Sequence, residues 1–327
     1  MKNSPVVITE PAAVAALKKI YRQNGPGRLK WNFSRPGQVT ARDGRLEARD
    51  GTLTGLNLDR AGLKGALKLS GVKTLTFLSA EGNDLGLIKL KALPGLAEGV
   101  KRLRQAAEQG DPEARYKLGF AYRQGQGVEE DQAEAVKWFR LAAEQGQAEA
   151  RYMLGYAYYY GLGVKKDQAE AVKWLRLAAE QGHATAQFNL GVSYNFGYGV
   201  ETDKAKAVKW YRLAAKQGCA PAQYNLACSY DHGSGVEENM AKAVKWYRLA
   251  AEQGYSEAQN SLGLAYDHGV GVDKDKAEAV KWFRLAAEQG EPKAQHNLGD
   301  AYYLGHGVKK NKAKAAKWFR RAAKKGY

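Results

Sequence analysis

Two pairs of adjacent side chains, Asp231-His232 and Asp267-His268, sit in the near-identical phrases YDHGSGV and YDHGVGV. By type, two carboxylates and two imidazoles are a metal-ligand set. Their spacing argues against that use. Adjacent side chains on a helix diverge by about 100°, and packed helices lie roughly 10 Å apart. Donor atoms must come within about 2 Å of the ion. The pairs therefore read as polar helix ends beside a glycine turn. Ser70 and Lys73 have the Ser-x-x-Lys spacing of some acyl enzymes, but so short a match without partner motifs assigns no nucleophile. GLGVKKD, from Gly161 to Asp167, is glycine-rich yet lacks the Gly-Lys-Ser/Thr ending of a phosphate loop. Cys219 and Cys228 are the chain's two cysteines, nine positions apart. On one helix at about 1.5 Å per residue they exceed the roughly 7 Å limit for bridging, so free thiols are expected. No catalytic residue, cofactor or metal is assigned, and the chain reads as no enzyme.

What remains is the chemistry of contact, and its positions follow from a repeat. Trp138, Trp174, Trp210, Trp246, Trp282 and Trp318 are each 36 residues apart. Two glycine series keep the same period, one through Gly146 and Gly182, the other through Gly127 and Gly163. Such a period means stacked supersecondary units. Each unit reads as two helices, the first like AEARYMLGYAYYYG, the second like QAEAVKWFRLAAEQG. Ala135, Trp138 and Ala142 share one face at helical spacing, and Trp138 is expected to fill the gap between helices. One such pair cannot bury its apolar face alone, but identical interfaces stack.

The pattern A-x-x-x-L-G-x-x-Y-x-x-G-x-G-V, then A-x-x-W-x-x-x-A-A-x-x-G, resembles the Sel-1-like repeat, an α/α relative of the tetratricopeptide repeat. It is carried by Ala150, Leu154, Gly155, Tyr158, Gly161, Gly163 and Val164, then Ala171, Trp174, Ala178, Ala179 and Gly182. Six copies follow one lone second helix, AEGVKRLRQAAEQG, which lacks the tryptophan. The departures are small: Ala227 replaces the first-helix glycine, and Arg321 and Lys324 roughen the last helix. The resemblance implies a mainly α fold, a right-handed α/α superhelical solenoid over residues 97–327. It also implies an adaptor role in signalling, complex assembly or bacterial contact with a host.

Residues 1–96 read as a small α+β cap with a short helix in PAAVAALKKIYRQNG. LTGLNLDRAGL and, 22 residues on, LTFLSAEGNDL are similar to the leucine-rich repeat. Leu53, Leu56 and Leu58 match in the first copy, Leu75, Leu78 and Asn83 in the second. An unrelated small α/β module is the competing reading.

Among the six copies, invariant positions are explained by packing, and variable first-helix positions are free to recognise something. The resemblance places first helices on the concave face. Tyr156, Tyr159 and Tyr160 give that groove an aromatic start. Asn189, Asn195, Phe196 and Asn225 follow, then Asp231, His232, Asp267, His268, Asp300 and Tyr303 near its polar end. Rings cover apolar side chains and amides pair with a backbone, which suits an extended protein or peptide partner. For Tyr116, Tyr152 and Tyr224, packing between helices is the competing reading; Tyr159, Tyr160 and Phe196, near helix ends, are expected to be exposed.

The formal net charge is +17. Residues 1–96 carry 16 basic and 7 acidic side chains and the remainder 35 and 27, so the N-terminal part is the more densely basic. Lys137 and Arg140 recur in every repeat and line one outer face. Glu144, Glu180, Glu252 and Glu288 stand four residues beyond their arginines, placed to pair with them. That favours a solvated face. The alternative is electrostatic binding of nucleic acid or anionic membrane through this face and the cap. The N-terminus shows no uninterrupted apolar run, so no signal peptide or membrane span is expected. A cytoplasmic protein is the default, although a specialised secretion system leaves no mark of this kind.

Overall fold

The computed structural model describes residues 6–7, 38–39, 45–49, 52–57, 77–79 and 94–327. The expected N-terminal helix, Ser70, Lys73, Leu58, Leu75 and Asn83 lie outside the described residues. The chain divides into two compact units, residues 1–150 with 161–165, and residues 151–160 with 166–327.

In the first unit, β1 (Val6–Val7) pairs antiparallel with β2 (Gln38–Val39). A second sheet orders β3 (Arg45–Arg49), β4 (Thr52–Asn57) and β5 (Phe77–Ser79). Strands β3 and β4 are antiparallel; β4 and β5 are parallel, with Leu56 opposite Leu78. Helices α1 (Pro94–Glu108), α2 (Pro112–Gln124) and α3 (Gln132–Glu144) follow. The lone helix α1 takes the place of a second helix, for its Arg104 donates to the Tyr122 hydroxyl as the repeat's arginines do further on.

The second unit holds α4 (Ala148–Tyr160) from residue 151, α5 (Gln168–Glu180), α6 (Ala184–Phe196), α7 (Lys204–Lys216) and α8 (Ala220–Asp231). It continues through α9 (Met240–Glu252), α10 (Ser256–His268), α11 (Lys276–Gln289), α12 (Pro292–Leu304) and α13 (Lys312–Ala323). The helices repeat as stacked pairs, the α/α solenoid that the period demands.

Each second helix starts at a side chain the period also repeats. Asp203 accepts from the Lys206 N–H at 2.8 Å, and its own N–H donates to Tyr194 O at 2.9 Å. Asp167, Asn239, Asp275 and Asn311 cap their helices in the same way. Leu154, Leu190, Leu226, Leu262 and Leu298 on the first helices are fully buried, as are the paired alanines of the second helices from Ala142 and Ala143 to Ala286 and Ala287; in the last helix Ala322 is buried and Ala323 exposed.

Tryptophan does not fill the interhelical gap. Trp138 is half-buried and donates its indole N–H to Glu134 at 3.1 Å, while Phe139, one residue on, is only 2% exposed. A helix turns about 100° per residue, so only one of two adjacent rings faces the core. The same slot holds Leu175, Tyr211, Tyr247, Phe283 and Phe319. Facing it is the first-helix glycine. A Cβ on Gly191 would stand 2.6 Å from the Tyr211 ring, so the glycine makes room for the aromatic side chain. In the turn between helices, Gly199 has φ +71°, and a Cβ there would lie 1.9 Å from Gln168 O of the preceding repeat. That turn is a contact between repeats.

The arginine ladder also binds repeat to repeat. Arg176 donates to the Tyr194 hydroxyl at 2.8 Å, Arg212 to Tyr230 at 3.1 Å, Arg248 to Tyr266 at 2.5 Å and Arg284 to Tyr302 at 3.3 Å. Among the described residues Arg176, Arg248 and Arg284 form no ion pair with Glu180, Glu252 and Glu288 four residues on, and Arg212 has Lys216 there. The lysines pair backwards: Lys137 with Glu134, Lys173 with Glu170 and Lys281 with Glu278, at 2.7–2.8 Å. An acid placed N-terminal to its base is the better helical arrangement. A glutamine ladder adds Gln217 to Gln187, Gln253 to Gln223 and Gln289 to Gln259, at 2.7–2.8 Å.

Candidate functional site

The variable side chains of α4, α6 and α8 surround two depressions, one on each side of α6. On one side, Tyr156, Tyr159 and Tyr160 at the end of α4 meet Phe188, Asn189, Val192 and Ser193 of α6 over Leu175, enclosing about 250 Å³. The tyrosines are spaced so that Tyr156 and Tyr160 lie one helical turn apart, their ring centroids separated by 4.6 Å, and Tyr159 meets Tyr160 edge-on at 4.9 Å. Tyr159 is half-buried rather than exposed, because Tyr198 from the α6–α7 turn packs edge-on to it at 6.0 Å. Burial, then the neighbouring Tyr198 and Tyr160 phenols, pushes its pKa up. Tyr198 in turn stacks on Phe196 at 5.6 Å. A run of rings thus leads from the pocket to Phe196, of which Tyr160 is 57% exposed, Phe196 59% and Tyr198 37%.

Across α6 lies a polar cleft of about 600 Å³, bordered by Asn195, Phe196, Lys204, Tyr211, Asn225, Cys228, Ser229, His232 and the Gly233–Gly235 turn. His232 donates from Nδ1 to Cys228 O at 2.9 Å. Tyr211 is 2% exposed, and its buried hydroxyl closes no hydrogen bond. Burial pushes the Tyr211 phenol up to about 12, with the Asn225 amide beside it opposing the shift. Burial likewise raises the Cys228 thiol. Both cysteines are free thiols.

Of the predicted residues, Tyr156, Tyr159, Tyr160 and Asn189 share the aromatic pocket; Asn195, Phe196, Asn225 and His232 share the polar cleft. Asp231 stands next to the cleft but is occupied by the Tyr247 hydroxyl at 2.9 Å. Asp267, His268, Asp300 and Tyr303 border neither depression. Asp267 and His268 are 4.0 Å apart, and Asp300 is 3.2 Å from His296. Among the described residues no three His, Cys, Asp or Glu side chains gather as a metal site would require. Tyr116, Tyr152 and Tyr224 are half-buried between helices.

Sequence reasoning missed Tyr198, Lys204 and Tyr211. Tyr198 sits in the turn, at the residue between two glycines, where the other repeats carry Gln126, Leu162, Ser234, Val270 and His306. That position varies as much as any on the first helices, so the same comparison extended into the turns would have found it.

The sequence profile of the Sel1 repeat matches residues 112–147, 148–183, 184–219, 220–255, 256–291 and 292–327. No curated protein matches the chain. Among solved structures, a protective antigen present in uropathogenic Escherichia coli strains is 42% identical, with a TM-score of 0.67 over 70% of this chain and 49% of its own. The chain therefore spans about half the length of that relative. A Sel1 repeat protein from Oxalobacter formigenes is 35% identical, with a TM-score of 0.63 over 70% of this chain and 91% of its own. The unbroken run of six matched repeats, together with the paired helices and their repeat-to-repeat clasps, makes this chain a member of the Sel1 repeat family.

Proposed function

We propose that the chain is a non-catalytic scaffold that grips an extended segment of a protein partner on the first helices around α6. Sel1 repeat proteins are generally protein–protein interaction scaffolds. The observation that carries the reading is the contiguous exposed aromatic rim of Tyr160, Tyr198 and Phe196 beside an apolar pocket. Exposed rings in a cluster are costly to leave in water and are the usual anchors of protein interfaces. They stand at positions that the repeat's own packing does not dictate.

The test is capture from lysate at about 0.15 and 0.5 M salt, with the wild type and a Tyr156→Ala, Tyr159→Ala, Tyr160→Ala chain. A screening length falling from about 8 Å toward 3 Å removes purely electrostatic partners. One protein retained at the higher salt and lost in the folded variant is the expected result. Capture of nucleic acid or lipid alone, released by salt whatever the variant, would assign binding to the basic face instead.

A further inference from the structure

The polar cleft beside α6 is built for something the aromatic pocket is not. Lys204 is the one formally charged side chain that borders it, and Lys204 forms no ion pair among the described residues. Its neighbours divert their own acids elsewhere: Asp203 caps α7 and pairs with Lys206 at 3.0 Å, and Asp231 accepts from Tyr247. That leaves Lys204, the amides of Asn195 and Asn225 and the hydroxyl of Ser234 around one depression, while the Ser229 hydroxyl already donates to Asn225 O at 2.9 Å. Behind Asn225 lies the buried, unpartnered Tyr211 hydroxyl.

We infer that this cleft binds the side-chain carboxylate of an acidic residue in the same extended segment whose apolar residue enters the aromatic pocket. The inference rests on the proposed scaffold reading. The chemistry is complementary at each point. A carboxylate accepts from Lys204 and from the amide N–H groups, and charge-assisted hydrogen bonds of this kind are roughly twice as strong as neutral ones. A partner rich in acid also suits a chain with a net charge of +17.

The two depressions are separated by the width of α6, about 10 Å. An extended segment rises about 3.3 Å per residue, so the apolar and acidic residues stand roughly three positions apart.

The test uses the full chain and synthetic peptides, acetylated and amidated, in a Gly-Ser background. Each carries one Phe and one Glu at separations of two, three or four residues, in both orders. Binding is read by fluorescence anisotropy. The expected result is a preferred separation near three and about tenfold weaker binding when the peptide's Glu is replaced by Gln. Lys204→Met, a change at an exposed residue, should bind the Glu and Gln peptides alike.

Equal binding of the two peptides by the wild type, or undiminished discrimination in Lys204→Met, would overturn the carboxylate subsite. So would tighter binding of a peptide that offers a free C-terminal carboxylate in place of Glu. If Glu→Gln has no effect but Phe→Ala in the peptide, or Tyr160→Ala with Phe196→Ala in the chain, abolishes binding, the groove stands and the subsite falls. If no peptide binds, both fall.

Discussion

The third and fourth repeats place a tyrosine in the same core slot and treat its hydroxyl in opposite ways. Tyr247 donates to Asp231 at 2.9 Å and lies 3.4 Å from Cys228 Sγ. Tyr211, one repeat earlier, finds no partner. The residues that correspond to Cys228 and Asp231 in its repeat are Val192 and Asn195, and those two border the aromatic pocket and the polar cleft. The facing residue differs too, Gly191 for Tyr211 and Ala227 for Tyr247. The second-helix phrase therefore fixes where a ring goes, and the first helix decides what its polar tip does. Where the first helix satisfies the tip, the repeat is closed. Where it does not, a depression with unspent donors remains.

The harshest way to break the comparison is to separate the repeats themselves. Gly199→Ala combines a positive φ with a Cβ 1.9 Å from Gln168 O. It should cost about 3 kcal/mol or more, read as a lower denaturation midpoint. Next is the pair of hydroxyl deletions. Tyr247→Phe strips a donor from a half-buried carboxylate and should cost about 2 kcal/mol, whereas Tyr211→Phe should be neutral or stabilising. Equal losses in parallel urea titrations would erase the distinction between the two repeats.

A smaller effect is expected in the glycine slot. Gly191→Ala must move the Tyr211 ring and should cost about 1–2 kcal/mol, while Ala227→Gly, in a repeat already adapted to a Cβ, should cost about 1 kcal/mol or less. Thermal melts of both variants check it. The smallest signal is in pH. Burial raises the Tyr211 phenol from 10.0 to about 12 and raises Tyr247 as well. The folded state then holds its proton more tightly than the unfolded chain does. That contribution is fully present below about pH 10 and is lost as pH rises through 12. Melting temperature should fall across that window, and less steeply in Tyr211→Phe.

Much of the solenoid is legible in the sequence, because a fixed period copies every packing contact. The helix pairs, their glycine ends and the buried leucines follow from it. The period did not tell Trp138 from Phe139, since both are aromatic and adjacent, and only the direction of the neighbouring helix decides which is buried. Nor could it say that Arg176 reaches Tyr194 rather than Glu180, for the tyrosine lies in the next repeat and the glutamate looked nearer along the chain. The site was half legible. Variation among first helices pointed to Tyr160 and Phe196, while Tyr198 and Lys204 lie in a turn and at a helix start, where no helical face selects them.

The central claim is that binding belongs to the first helices around α6 and stacking to everything that repeats. Backbone hydrogen exchange with and without the captured partner tests it most directly. Protection confined to the end of α4, to α6, to the 197–200 turn, to the first turn of α7 and to the second half of α8 is the predicted footprint. Protection along the lysine-bearing faces of α5, α7 and α9, with α6 unchanged, would contradict it.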